Sequence, residues 1–360
     1  MKASGKVTVK DISQRLGVSL STVNKALTGK PGISEKRREE ILLAAKEMGY
    51  VVNHVAQSLS RKPMKLGVII PSGWRQYFSP MEEGMGLELQ RLMQSNVSGE
   101  FVHIDCSANI IPAFERLKEE KVDLIIYCPS LIDMDGAACE YISELRIPIM
   151  LAGADCRSVK SVCTVSIDSE LSGRMAADFL SVPMRRCGKV AVLMGSKKLD
   201  THISKAVAFV ERAAELGLFV TDVCETEDDP DIIAHCVNRI YENNPDVGGI
   251  YVATGSVKSA VECFSGMPEA ERPFIVATDV CDDVRCAMKR GEVIATVFQN
   301  QVLMGRLAIE YAYEYLVKAN SYGVSTSTLP KRVYVAPHLF LPSNLDCFGA
   351  DDGNDYRIEK

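Results

Sequence analysis

The sequence has 360 residues, 47% of them apolar, so we expect filled cores over about two to three domains rather than a disordered chain. The N-terminus has no apolar signal-peptide core, and no apolar run approaches the roughly 18 residues of a membrane helix, so secretion and membrane spanning are excluded and a cytoplasmic protein is expected. The formal net charge of −6 conceals a division, because residues 1–65 hold 13 basic and 5 acidic side chains and the remainder holds 28 and 42. A basic head on an acidic body is typical of a phosphate-binding module joined to a domain that does not bind DNA.

The first predicted elements are two short helices around a tight turn, within residues 7–27. Thr8 and Asp11 have the spacing of a capping box, so the first helix is expected to begin directly after Thr8. Gly17 supplies a left-handed residue that ends this helix. Ser19 is the expected N-cap of the second helix.

The second and third helices each have one apolar face. In the second helix, the inward residues are predicted to be Val23, Ala26 and Leu27 and the outward ones Leu20, Ser21, Asn24 and Lys25. In the third helix, which follows Ser34 and ends at Gly49, the inward residues are predicted to be Ile41, Leu42, Ala45 and Met48. Three helices with a solvent-facing second helix are the arrangement that reads base edges in the DNA major groove.

A short segment, residues 53–60, follows the third helix. Asn53 is a possible cap, and Val55, Ala56 and Leu59 share one helical face. At two turns such a helix is too short to be stable alone in water. The residues by themselves leave a short helix and a plain linker open.

From Lys65 onward, apolar strands alternate with amphipathic helices. The predicted strands are Leu66–Pro71, Phe101–Asp105, Val122–Cys128, Ile147–Gly153, Val162–Ile167, Lys189–Gly195, Phe219–Cys224, Gly249–Thr254, Phe274–Asp279 and Val293–Gln299. Helical patterns include Pro80–Met93, Ser169–Leu180, Ser204–Leu216, Asp231–Tyr241, Val257–Phe264 and Val302–Val317. This alternation indicates right-handed βαβ units around parallel sheets.

Ten strands exceed what one small sheet usually holds, so we predict an α/β core of two parallel-sheet subdomains behind an N-terminal all-α helix-turn-helix domain. Ligands of such sheets bind beyond the carboxyl ends of the strands. The cleft between the two subdomains is therefore the expected pocket.

Motifs for catalysis or metal binding are lacking in the sequence. It contains no G-x-S-x-G, H-E-x-x-H, Walker-type or G-x-G-x-x-G pattern, and its five histidines have no ligand-like spacing. The twelve cysteines include no C-x-x-C pair, and the closest two are Cys281 and Cys286. We therefore expect reduced thiols that pack as small apolar groups, no cofactor, no metal and no enzymatic activity.

Three groups of residues closely resemble the lactose-repressor family of bacterial transcription regulators: residues 7–27, the connection 29–34, and residues 47–50 leading through Asn53 and Ala56 to Leu59. Later segments, 122–126, 277–279 and 295–300, look like the family's periplasmic-binding-protein-like core. The resemblance covers the whole chain and is most specific over residues 7–62.

The resemblance implies a homodimer whose second helix enters the major groove of a pseudo-palindromic operator. By position, Leu20, Ser21 and Lys25 would read bases, and Thr8, Ser19, Thr22 and Asn24 would lie near phosphates. The segment from Asn53 through His54, Ala56 and Leu59 would be a hinge helix in the minor groove, with Leu59 wedged between base steps. The family most often has Ser-Arg where this chain has Asn24-Lys25, and Lys lacks the guanidinium fork that grips guanine at two points.

The resemblance also implies a pocket for a small polar effector of the carbohydrate class. Asp279 and Gln299 match polyol-contacting positions, whereas Lys205 replaces a usual Arg and Thr254-Gly255-Ser256 replaces a common Asn-Asp pair. The residues expected at the pocket are Trp74, Tyr77, Lys205, Ser256, Asp279 and Gln299. Two plainer interpretations stay open: Asp279 as a helix cap and Trp74 as a partly buried loop anchor.

The predicted organisation is a DNA-binding domain over residues 1–50, a hinge over 51–64, an effector-binding and dimerisation core over 65–345, and a tail over 346–360. The function expected is a ligand-controlled DNA-binding regulator. The alternative is a stand-alone sugar-binding protein of the solute-receptor type, which would ignore DNA, work as a monomer and leave residues 1–62 unexplained.

Overall fold

A computed structural model describes residues 7–27, 32–48, 63–105, 110–129, 136–156, 158–184, 188–322, 329–345 and 356–359. The predicted hinge residues Asn53, His54, Ala56 and Leu59 lie outside the described residues, as does Gly49. Within the described part, no helix combines the length and the apolar character needed to cross a bilayer.

The N-terminal head consists of three helices, α1 (Val9–Leu16), α2 (Leu20–Leu27) and α3 (Glu35–Glu47). The predicted capping box of Thr8 and Asp11 is present, Gly17 has the left-handed φ of 61°, and the Thr22 amide donates to the Ser19 hydroxyl over 3.1 Å. The core of the head consists of Ile12, Val23, Ala26, Ile41 and Ala45.

The placement of Leu42 on the inward face of α3 was wrong, because Leu42 is 43% exposed and Ala44 is buried in its stead. Successive helical residues turn by about 100°, so Ile41, Ala44 and Ala45 fall on one face and Leu42 lies well to its side. An apolar side chain on the solvent side of a surface helix is common, which is why residue type alone misplaced it.

The first subdomain is built on five parallel strands and three helices. The strands are β1 (Met64–Pro71), β2 (Val97–Ile104), β3 (Leu124–Tyr127), β4 (Ile149–Gly153) and β5 (Thr164–Ile167). The helices are α4 (Arg75–Leu92), α5 (Ile111–Glu119) and α6 (Gly136–Glu144).

The second subdomain repeats this plan. Its parallel strands are β6 (Gly188–Met194), β7 (Leu218–Glu225), β8 (Val247–Val252), β9 (Phe274–Thr278) and β10 (Ala295–Phe298). Its helices are α7 (Ser169–Ser181), α8 (Asp200–Glu215), α9 (Pro230–Asn243), α10 (Val257–Glu262) and α11 (Asp282–Lys289).

The chain then returns between the two sheets. Helix α12 (Gln301–Tyr322) packs on the first sheet and is followed by β11 (Arg332–Val335), β12 (His338–Phe340) and β13 (Tyr356–Glu359). The strand orders are β13-β11-β5-β4-β3-β1-β2 and β12-β10-β9-β8-β6-β7, and the pairs β13–β11 and β12–β10 are antiparallel. Thus β2 and β7 are edge strands at matching positions.

The structure confirms the two-sheet α/β core, and an observed strand overlaps each of the ten predicted segments. Strands β11, β12 and β13 were not predicted from the sequence, because they have three or four residues each and offer too short a pattern to recognise. It also began the first core helix at Pro80, whereas α4 begins at Arg75 and contains that proline. Proline is most frequent in the first turn of a helix, which explains the error.

Two helix pairs pack with backbones in contact at glycine. A Cβ on Gly84 of α4 would lie 2.0 Å from the Val302 carbonyl oxygen of α12. A Cβ on Gly173 of α7 would lie 2.1 Å from the Lys205 carbonyl oxygen of α8. The second contact fixes the part of α8 that faces the space between the two sheets.

Candidate functional site

A cavity of about 100 Å³ lies between the subdomains at the carboxyl ends of both sheets, where the fold predicts a ligand site. Its volume has room for several water molecules or a small polar molecule. The residues that line it are Trp74, Tyr77, Phe78, Pro129, Gly153, Ala154, Leu199, Thr201, His202, Lys205, Asp228, Ala253, Thr254, Gly255, Thr278, Asp279 and Gln299.

Helix α8 carries a cation and a neutral imidazole into the cavity. Lys205 is buried, with only 2% of its surface exposed, and it forms no ion pair with a described residue. Burial lowers the pKa of Lys205, while Asp279 and Asp228 favour its charged form. One turn earlier, the Ser196 amide donates to His202 Nδ1 over 2.9 Å, so His202 is neutral with its proton on Nε2. Burial and the nearby Lys205 lower the pKa of His202 to about 3.

Asp279 follows the end of β9 and is held by two carboxamides. Gln299 Nε2 donates to Asp279 Oδ1 over 2.7 Å, and Gln301 Nε2 donates to the same oxygen over 2.5 Å. Burial raises the pKa of Asp279, and Lys205 opposes that rise. The helix-cap interpretation of Asp279 was wrong, because α11 has Cys281 at its N-cap position.

Asp228, in the loop after β7, is a second acid at the cavity; it is partly buried and was not predicted from the sequence. Its Oδ1 accepts hydrogen bonds from the Thr254 hydroxyl and, over 2.9 Å, from the Ser256 hydroxyl. Burial raises its pKa, and the Ser256 hydrogen bond opposes that rise. Asp228 belongs to an acidic run with Glu225, Glu227 and Asp229, which reads as a solvated loop, although its place after a strand was a usable signal.

Aromatic side chains from the start of α4 form the opposite wall. Trp74 is 40% exposed and lines the cavity together with Tyr77 and Phe78. The Tyr77 hydroxyl donates to the Gly153 carbonyl oxygen over 3.2 Å, and burial raises the Tyr77 pKa. This wall offers apolar ring surface opposite the polar groups, a combination that suits the two faces of a polyol.

The backbone around the cavity is strained. Seven described residues other than glycine have positive φ, and five of them line the cavity or adjoin a lining residue. These five are Trp74, Glu227, Asp228, Asp279 and Asn300. Such conformations are costly and persist where packing and hydrogen bonds impose them, so they mark this rim as a built site.

Of the six pocket residues predicted from the sequence, five line the cavity: Trp74, Tyr77, Lys205, Asp279 and Gln299. Ser256 does not line it, because its hydroxyl is turned toward Asp228. The lining residues His202, Thr254 and Asp228 were not among the predicted ones.

In the head, three of the four residues predicted on the outward face of α2 are exposed. Leu20 is 49% exposed, and Ser21 and Asn24 are exposed beside it. Lys25 is partly buried, and its Nζ would lie 3.2 Å from a Cβ at Gly32, so its side chain lies against the loop before α3. The Ser19 and Thr22 hydroxyls hydrogen-bond each other over 2.8 Å at the start of α2, and Thr8 is exposed at the start of α1.

Comparisons with known proteins match both parts of the chain. A model of the periplasmic binding protein domain matches residues 66–320, and a model of bacterial regulatory proteins of the lacI family matches residues 8–53. Catabolite control protein A of Priestia megaterium is 25% identical over 341 residues, which cover 91% of this chain and 97% of that protein.

Solved structures of solute-binding proteins share the fold of the core. AraP, an arabinose binding protein from Geobacillus stearothermophilus, gives a TM-score of 0.67 at 20% identity over 80% of this chain and 100% of that chain. An ABC transporter solute binding protein from Bacillus halodurans with bound myo-inositol gives 0.65 at 17% identity over 80% and 98%.

A helix-turn-helix head joined to a two-subdomain core with a cleft defines a ligand-responsive transcription regulator. Both parts occur here in that order within one chain. The protein belongs to the lacI family of bacterial regulatory proteins.

Proposed function

We propose that the protein binds a pseudo-palindromic operator as a homodimer in the cytoplasm, and that a small polar effector of the carbohydrate class controls its affinity for DNA. The observation that carries this proposal is the polar set at the cleft: Lys205 of helix α8 joins Asp228, Asp279 and Gln299, which come after strands, in a lining that also includes Trp74. Carboxylates and carboxamides bind hydroxyl groups well, since a carboxylate accepts and Gln both donates and accepts.

In the head, we assign base contacts to Leu20, Ser21 and Lys25 of α2. We assign phosphate contacts to Thr8, Ser19 and Thr22, which are short polar side chains at the starts of helices, and to Asn24. We retain Asn53, His54, Ala56 and Leu59 as minor-groove contacts on the strength of the family resemblance. The basic charge of the head supports this arrangement, because a groove-bound helix needs phosphate neutralisation around it.

The homodimer is supported by apolar surface at matching positions of the two subdomains. On edge strand β7, Phe219 is 63% exposed and Val223 41%, and Val207 on the adjoining α8 is 49% exposed. Beside edge strand β2, Leu87 is 46% exposed and Met93 68%. A second copy that covers these edges would bury both the side chains and the unpaired strand backbone.

The solute-receptor alternative explains the core but gives no role to a folded head with an exposed polar helix face. Operator binding decides between the two. Fluorescence anisotropy with DNA from the upstream region of the gene should show sequence-preferring binding by a dimer, with affinity that falls steeply as salt rises. Equal affinity for that DNA and for unrelated DNA would refute the regulator function.

A further inference from the structure

Among the described residues that line the cavity, the ionisable side chains do not balance. Lys205 is a base, Asp228 and Asp279 are acids, and His202 is neutral because its Nδ1 accepts the Ser196 amide. With both acids and the lysine ionised, these described residues would carry a net charge of −1. Buried charge of one sign is costly unless a partner compensates it.

Asp228 is the acid whose hydrogen-bond partners are all neutral. Lys205 favours the charged form of both carboxylates and forms an ion pair with neither. The partners of Asp228 are the neutral hydroxyls of Thr254 and Ser256, and both donate to Oδ1. Its Oδ2 accepts no hydrogen bond from a described residue, and Asp228 is one of the residues that line the cavity.

We propose that the effector is a polyhydroxylated amine, of the amino sugar or amino polyol class, and that Asp228 binds its ammonium group. This inference rests on the proposed function and names the ligand class of the same cleft. The hydroxyls of the ligand would bind Asp279, Gln299 and Lys205, and its apolar face would lie on Trp74. The ammonium group would bring the charge of the occupied cleft to zero. It would also donate a charge-assisted hydrogen bond to Asp228.

The same groups disfavour the other charge classes. A phosphorylated or carboxylated sugar would bring an anion to two carboxylates and one lysine, and like charges at close range in a desolvated site are strongly unfavourable. A neutral sugar would satisfy the hydroxyl partners but would not give Asp228 the charge-assisted hydrogen bond that an ammonium group supplies.

The test is calorimetric titration at neutral pH with sets of sugars that differ in one substituent. D-Glucosamine, D-galactosamine and D-mannosamine are compared with D-glucose, D-galactose and D-mannose, and with D-glucuronate and D-galacturonate. The tightest ligand should be an amine, preferred over its neutral parent by about tenfold or more, the scale of one charge-assisted hydrogen bond. Asp228→Asn, which keeps an oxygen for Thr254 and Ser256, should abolish that preference, and Asp231→Asn on the exposed start of α9 should retain it.

Three results would overturn the inference: a neutral or acidic sugar that binds more tightly than every amine, an absence of binding by all the amines, or an amine preference that survives in Asp228→Asn. The ranking of ligand affinities is measured on the unmodified protein, so it does not depend on whether a variant folds. Operator binding measured on the same preparation separates the two proposals. If neutral sugars bind best and operator binding persists, only the amine class of the effector is refuted. If the protein does not recognise the operator, the proposed function itself is refuted.

Discussion

Gln299 and Asp279 follow neighbouring parallel strands, β10 and β9, and the Gln299 carboxamide donates to the Asp279 carboxylate over 2.7 Å. Gln301, the first residue of α12, donates to the same oxygen. The helix that returns the chain to the first subdomain therefore begins at the cleft. This places the Asp279 carboxylate at a crossing between the two subdomains.

Asp279→Asn should weaken effector binding about tenfold or more and leave DNA binding without effector unchanged. The amide keeps the left-handed backbone accessible, since Asn tolerates positive φ, but it removes the charge that polyol hydroxyls would meet. Thermal shift and calorimetry with the best ligand of the sugar panel measure the loss. Asp282→Asn, on the exposed start of α11, is the control, and equal ligand affinity in both variants would refute the assignment of Asp279.

Trp74 should report cleft occupancy. It is the only tryptophan in the chain, it lines the cavity, and 40% of its surface is exposed to solvent. A ligand that covers the ring removes water from it, so the emission should shift to shorter wavelength in proportion to saturation. Emission that stays constant at calorimetric saturation would place the ligand away from this wall.

The buried His202 should make stability depend on pH. Its folded pKa of about 3 lies below the ordinary histidine pKa of 6.5, so between these values the unfolded chain binds more protons than the folded one. The stability from the neutral imidazole is thus complete above pH 6.5 and is lost as the pH falls toward 3. Urea unfolding at a series of pH values should show that the free energy of unfolding falls less steeply with acid in His202→Asn than in the unmodified protein. An equal dependence on pH in both proteins would contradict the burial of a neutral His202.

Lys25→Ala should relax operator preference at one base pair in each half-site. Lys25 now lies against the loop at Gly32, so reaching a base edge requires its side chain to extend from that position. A lysine makes a single-point contact with a base. We therefore expect the discrimination between base pairs at that position to fall by about 1 kcal/mol, which is at the low end for a specific base contact. Binding to a set of single-base operator variants measures it, and a uniform loss over all sequences would reassign Lys25 to phosphate.

The sequence predicted the parts of this structure that have a strong local pattern. The capping box at Thr8, the ten core strands and the position of Asp279 and Gln299 at strand ends follow from local pattern, whereas their assignment to the pocket came from the family resemblance. Asp228 was missed because its importance arises from the Thr254 and Ser256 hydroxyls, which come from another loop. Ser256 was taken for a ligand contact for the same reason, since only tertiary structure shows which way its hydroxyl turns.

The short strands β11, β12 and β13 were missed for a related physical reason. Strands of three or four residues are defined by the partner that they pair with, and β13 pairs with β11 in a sheet formed mostly by residues far earlier in the chain. Residues such as Val333, Tyr334 and Val335 favour strands, but a run of three or four residues is too short to show a strand pattern. The helix start at Arg75 rather than Pro80 is a boundary that tertiary packing decides.

The most direct test of the central claim, that the cleft controls the head, is a pair of calorimetric titrations. The best ligand of the sugar panel is titrated into the free protein and into the protein bound to its operator. Coupling between two sites is reciprocal, so operator DNA should change ligand affinity by the same factor by which ligand changes operator affinity, typically about 5–150-fold. Equal ligand affinity in the two titrations would show that the core does not regulate DNA binding.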